Sequence, residues 1–179
     1  IPALPPQGAV LQKTGSHAGL TIAGFRRCAT GWLRIDMAEK LARQAHAARM
    51  ADAFLDQLLT HGTTTACVFG SVHPGSVDAL FTAAEARGMA MLGGKVMMDR
   101  NALPAVHDTA QQSYDDTKAL IDRWQGRGRV TYAITPRFAI TSPPEQLAAA
   151  GALAAEYPDL PIQTHLSENL AEIDFTLSL

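Results

Sequence analysis

Two residues three apart, His165 and Glu168, follow an apolar run from Leu160 to Thr164 that leaves a Pro-Asp turn. A neutral imidazole is a common zinc ligand, and a nearby carboxylate can carry protons to and from a metal-bound water. On spacing alone the pair also fits a structural histidine beside a solvated or capping glutamate. Behind it, Asn169 and Glu172 have the types and spacing of a cap and an N3 acid opening a helix through Ile173 and Leu177. The stretch therefore reads as strand, short loop and helix, with its chemistry at the strand's C-terminal mouth, where α/β barrels gather their functional loops. A second group is Thr135-Pro-Arg-Phe138. Proline stiffens the turn, Arg137 offers a planar fork of donors and Phe138 a stacking face, a set suited to a flat heterocycle bearing acceptor atoms. The alternative is an arginine paired with a nearby acid and a phenylalanine in the core. His73, Lys95, Asp99 and Arg100 complete the polar residues expected at strand mouths.

The elements that must position these residues alternate regularly. Asp36 can cap a helix with an apolar stripe at Met37, Leu41, Ala45, Ala48, Ala51, Phe54, Leu55 and Leu58, a period near 3.6. Lys40, Arg43, Arg49 and Asp56 take its wet face, Gly62 ends it, and His46 and His61 read as surface residues. Thr63 to Phe69 is β-rich and continuous enough for a strand buried on both faces, which makes Cys67 a buried free thiol. Ser76 is placed to cap a helix bearing Val77, Leu80, Phe81 and Ala84. Met89 to Met98 is the next strand, its Gly93-Gly94 pair marking close backbone approach or a bulge. A helix with Tyr114, Ala119, Ile121 and Trp124 follows, then a strand from Arg129 to Ile134. Ser142-Pro-Pro-Glu145 is a capping box before a helix carrying Leu147, Ala150, Leu153, Ala154 and Tyr157. Strand starts near 63, 89, 129 and 161 give four strand–helix units, an α/β fold with a parallel sheet. Four units make half of an eight-stranded barrel or a small open sheet.

Composition narrows the classes of function. With 179 residues, 47% hydrophobic and 18% charged, the chain can bury a core. A net charge of −2 gives no electrostatic footprint for nucleic acid. Cys28 and Cys67 have neither metal-site spacing nor a disulfide framework, which fits a reducing, cytoplasmic compartment. No apolar run reaches the eighteen or so residues of a membrane span. No strand is followed by Gly-x-Gly-x-x-Gly and no Gly-Lys-Ser/Thr occurs, so phosphate-cradling nucleotide folds are a poor match. Residues 1–35 form a poorly defined N-terminal segment in which His17 reads as exposed, and 36–179 form the α/β body.

Four segments resemble the guanine deaminase family of the amidohydrolase superfamily: His61-Gly-Thr-Thr-Thr-Ala66, Gly94-Lys-Val-Met-Met-Asp-Arg-Asn101, Thr135-Pro-Arg-Phe138 and Gln163-Thr-His-Leu-Ser-Glu-Asn169. The resemblance runs from about His46 to the end. The last two segments are specific to that family and its nearest kin; the first is shared more widely among amidohydrolases. It implies a partial (β/α)8 TIM barrel of the metal-dependent hydrolase type, comprising barrel strands two to five. It implies His165 as a zinc ligand and Glu168 as the proton shuttle between zinc-bound water and a purine ring nitrogen. Arg137 would hold guanine by hydrogen bonding and Phe138 by stacking. Water would replace the exocyclic amine, giving xanthine and ammonia, and the full-length family member would be a homodimer. Another amidohydrolase acting on an aminopurine or triazine, or a non-catalytic α/β binding domain, are the competing readings.

The departures are equally definite. The family carries a His-x-His pair at the end of barrel strand one, and this chain has no His-x-His. The family's later zinc histidine and aspartate would fall beyond Leu179. Only one zinc ligand is therefore expected here, and a single imidazole does not retain zinc usefully. The chain reads as an incomplete guanine deaminase, inactive as it stands.

Overall fold

The computed structural model describes residues 42–179, together with the backbone of two short antiparallel strands, β1 (Arg26–Arg27) and β2 (Leu33–Arg34). The boundary expected between residues 35 and 36, and His17, lie outside the described residues. The first helix, expected from Asp36 and Met37, instead begins at Gln44, with Arg43 extended at its cap.

From residue 44 onward, helix and strand alternate. Helix α1 (Gln44–Thr60) leads into β3 (Thr65–Phe69), α2 (Pro74–Ala86), β4 (Ala90–Gly94) and β5 (Val96–Met97). A 3-10 turn (Pro104–Val106), α3 (Ala110–Trp124), β6 (Val130–Tyr132), β7 (Thr135–Pro136), α4 (Pro144–Glu156) and α5 (Leu170–Leu177) complete the chain. The α/β class is as expected. β3, β4 and β6 form one parallel sheet, and β5 pairs β7 in a second parallel pair. The strand expected at 160–164 is reduced to a single parallel bridge, Ile134 to Ile162. Its backbone is nonetheless stitched to its neighbour: Ile134 N donates to Pro161 O at 2.9 Å and Gln163 N to Ile134 O at 3.0 Å.

Register explains which side chains are buried. Ala66, Met91 and Val130 are aligned across the sheet, as are Val68, Gly93 and Tyr132, and these rows face the helices. They join Phe54, Leu55, Leu58, Leu80, Phe81, Ile121, Trp124 and Leu153 in the main core. The intervening row, Cys67–Leu92–Thr131, lies on the opposite face and is only partly covered. Cys67 is exposed, contrary to the expectation of a buried thiol, because β3 has one neighbour among the described residues and its inner face has no covering layer. Gly94 is required where it stands: a Cβ there would lie 1.9 Å from Ala133 O and 2.7 Å from Thr135 Oγ1, so two strands meet through it.

Several local expectations are corrected. On α1 the buried stripe is Ala47, Ala51, Phe54, Leu55 and Leu58; Ala45 and Ala48 face outward and His46 is half-buried. Helix α2 begins at Pro74 with His73 at its cap, and Ser76 lies inside the first turn, its Oγ donating to His73 O. Ser142 makes no capping bond. Its hydroxyl donates to Met97 O at 2.8 Å, across to β5, and Pro143 takes the cap position of α4. Leu147 and Ala119 are exposed. The cap of α5 is as expected, Asn169 Oδ1 accepting from Glu172 N at 2.9 Å.

Candidate active site

The site gathers where β3, β7 and the 161–165 segment end together. His165 N donates to Arg137 O at 2.8 Å, and its ring Nδ1 lies 3.1 Å from the same oxygen. A carbonyl only accepts, so Nδ1 carries a hydrogen and donates, which leaves Nε2 as the nitrogen that can offer a lone pair to a ligand. The imidazole lies between two aromatic rings, Phe69 at 4.3 Å and Phe138 at 6.1 Å between centroids. Gln163, two residues earlier on the same face, ties the segment down. Its Nε2 donates to Val68 O at 3.1 Å and Thr135 Oγ1 at 2.9 Å, and its Oε1 accepts from the Cys67 thiol at 3.0 Å.

Arg137 is half-buried and its backbone N donates to Met97 O at 3.3 Å. The guanidinium carbon lies 5.2 Å from the Phe138 ring centroid, and Nη1 contacts the Met98 sulfur at 3.4 Å. Among the described residues it forms no ion pair, so the expected alternative of an arginine neutralised by an adjacent acid is not what is seen. Burial lowers its pKa from the ordinary value, and the charge of Glu168 pulls it partway back. Its fork of donors is thus held at the rim beside an aromatic face. Glu168 is exposed on the loop before α5, and its backbone N donates to Glu172 Oε2 at 2.7 Å.

Other expected mouth residues go elsewhere. Lys95, between β4 and β5, continues the helix-facing side of Met91 and Gly93 and is 0% exposed. Its ammonium pairs with Asp108 and reaches Ser113 Oγ at 3.3 Å, beneath α3 and α4, so it has no access to the mouth. Arg100 turns back onto the loop that follows Phe138, donating to Ile140 O at 3.1 Å and Ala139 O at 2.5 Å; Asn101 Nδ2 adds a bond to Ile140 O at 3.0 Å. Asp99 is partly buried, which raises its pKa, and its N donates to Thr141 O. His73 serves as the α2 cap. Phe69 and Glu172 are participants that sequence reasoning missed or left as local structure. Phe69 ends β3 two residues after Cys67, and that period of two was the only signal available.

An α/β chain with a histidine and a carboxylate at one strand mouth and an arginine–phenylalanine pair at the next belongs to the Amidohydrolase family, which it matches over residues 24–177, beginning upstream of the segments quoted above. Within that family it is similar to guanine deaminases. It is 58% identical over 134 residues to the guanine deaminase of Escherichia coli strain K12, covering 75% of this chain and 30% of that protein. The solved structure of E. coli guanine deaminase superposes with a TM-score of 0.78 at 54% identity, over 79% of this chain and 33% of that one. A guanine deaminase from C. acetobutylicum, solved with guanine bound in its active site, gives 0.76 at 31% identity over 79% and 34%. The chain therefore spans about a third of the length of these relatives.

Proposed function

We propose that this chain is the substrate-gripping part of a guanine deaminase, an enzyme that replaces the exocyclic amine of guanine with oxygen from water to give xanthine and ammonia. The carrying observation is the Arg137–Phe138 pair, a half-buried guanidinium that forms no ion pair among the described residues, beside a ring that also flanks His165. Arg137 would donate to the purine's acceptor atoms and Phe138 would stack on its face. Glu168 would move the proton between the attacking water and the ring nitrogen. His165, with its lone pair on Nε2, is fit to be one ligand of a metal, zinc by resemblance. The described residues contain no cluster of three or more His, Cys, Asp or Glu able to hold a metal, so they fit one corner of a metal site and not a whole one. On the same reading, four strand–helix units would form strands two to five of a (β/α)8 barrel, in a cytoplasmic homodimer. No described helix is long and apolar enough to cross a membrane.

Two measurements test the proposal. Guanine binding to the chain should weaken at least tenfold in Arg137→Ala, or about 1.4 kcal/mol; equal affinity in parent and variant refutes the grip. Xanthine formation from guanine in added zinc, by the chain joined to the remaining two-thirds of its E. coli relative, should be restored and then lost in Glu168→Gln. A zinc-loaded, folded product that makes no xanthine refutes the activity.

A further inference from the structure

We propose that Glu172 is a positioning residue whose buried carboxylate clamps the Ser167–Glu168 turn and thereby fixes the direction in which Glu168 presents its own carboxyl group; the inference rests on the proton-transfer role given to Glu168 above. In an ordinary capping box the N3 side chain returns to the backbone N–H of the cap residue itself. Here it reaches further back. Glu172 Oε2 accepts from Glu168 N at 2.7 Å and Oε1 from Ser167 N at 3.1 Å, while Glu172 N is held by the Asn169 side chain. Both oxygens are engaged, one on each of two consecutive amides, and these are charge-assisted bonds.

The turn needs such a restraint. Ser167 has φ 54°, a left-handed conformation that costs a non-glycine residue on the order of 1 kcal/mol and persists only where surroundings hold it. Packing does not hold it, because residues 166–170 are all exposed and Leu166 is 79% exposed. Glu172, in contrast, is 9% exposed. The turn carrying Glu168 is thus secured by one buried carboxylate four residues downstream, on the first turn of α5. A carboxylate suits this role better than an amide, since both of its oxygens accept; glutamine would keep one acceptor and turn an NH2 group toward the second N–H.

The test is amide hydrogen exchange, read by NMR on the full chain, in the parent, Glu172→Ala and Glu172→Gln. Exchange at Ser167 and Glu168 should rise at least tenfold in Glu172→Ala and less in Glu172→Gln. The Ile173 amide, bonded to Asn169 O, should stay protected. Unchanged exchange at Ser167 and Glu168 overturns the clamp. If Glu172→Ala also frees Ile173, α5 has frayed, and Glu172→Gln decides by the same criterion. Guanine turnover gives the second readout in any active preparation: kcat falls at least tenfold with KM within twofold, and a raised KM at preserved kcat overturns the positioning role. A zinc-loaded, folded fusion of this chain with the rest of its E. coli relative that makes no xanthine refutes the deaminase reading and leaves the exchange result to judge the clamp.

Discussion

Removing the Asp108 carboxylate should be the most damaging single change at a polar residue. Asp108 pairs with the Lys95 ammonium, accepts from Ser113 Oγ at 2.6 Å and Gln146 Nε2 at 3.2 Å, and faces Met98 N at 3.4 Å. The two side chains of the pair are 0% and 8% exposed. In Asp108→Ala the ammonium keeps only Ser113 Oγ at 3.3 Å and Val96 O at 3.4 Å, both near the limit of hydrogen-bonding distance. Breaking a buried pair from one side costs about 3–5 kcal/mol, against a total stability on the order of 5–15. At roughly 2–4 °C per kcal/mol for a chain of this size, the melting temperature falls by roughly 6–20 °C. Lys95→Met should cost less, because Asp108 then retains the Ser113 and Gln146 donors. The double variant Lys95→Met/Asp108→Leu should recover most of the loss, since apolar replacement of a whole buried pair is often neutral. Thermal and urea denaturation followed by circular dichroism provide the comparison. An Asp108→Ala chain within about 1 kcal/mol of the parent, or a double variant worse than either single one, would refute the picture of a dry, mutually dependent pair.

Two further changes probe the sheet. Gly94→Ala places a methyl group 1.9 Å from Ala133 O, so the β4–β6 and β5–β7 pairings must separate; we expect a loss of more than about 3 kcal/mol or an insoluble product, and a normally folded Gly94→Ala chain would contradict the close approach. Tyr132 is fully buried and its hydroxyl accepts from Lys95 N, and burial pushes its pKa from 10.0 up to about 12. A raised folded-state value means its contribution is complete below about pH 10 and is lost as pH climbs toward 12, by roughly 3 kcal/mol. Urea titrations at pH 9, 10 and 11 should show that decline in the parent and a flatter one in Tyr132→Phe.

Much of the chain was legible without its structure because the relevant forces are local. The α5 cap and the alternation of strand and helix follow from capping, periodicity and turn chemistry within a few residues. The Arg137–Phe138 and His165–Glu168 segments stood out because their residue types are unusual for strand ends. What local pattern could not decide was which face of each strand looks inward. Met91 and Leu92 are equally apolar, as are Val68 and Phe69, so a period of two leaves the choice open. That choice sent Lys95 under the helices instead of to the mouth, and it set Cys67 in the open and Phe69 against His165. Ser142 was misread for a related reason: its hydroxyl could serve its own helix or a strand 45 residues away, and tertiary placement chose Met97 O. Sequence thus determined the elements, their order and the chemical types at the strand ends. Tertiary structure alone decided the facing of each strand and the partners of His165 and Arg137, because hydrogen bonds and burial between distant segments exist only once register across the parallel strands is set.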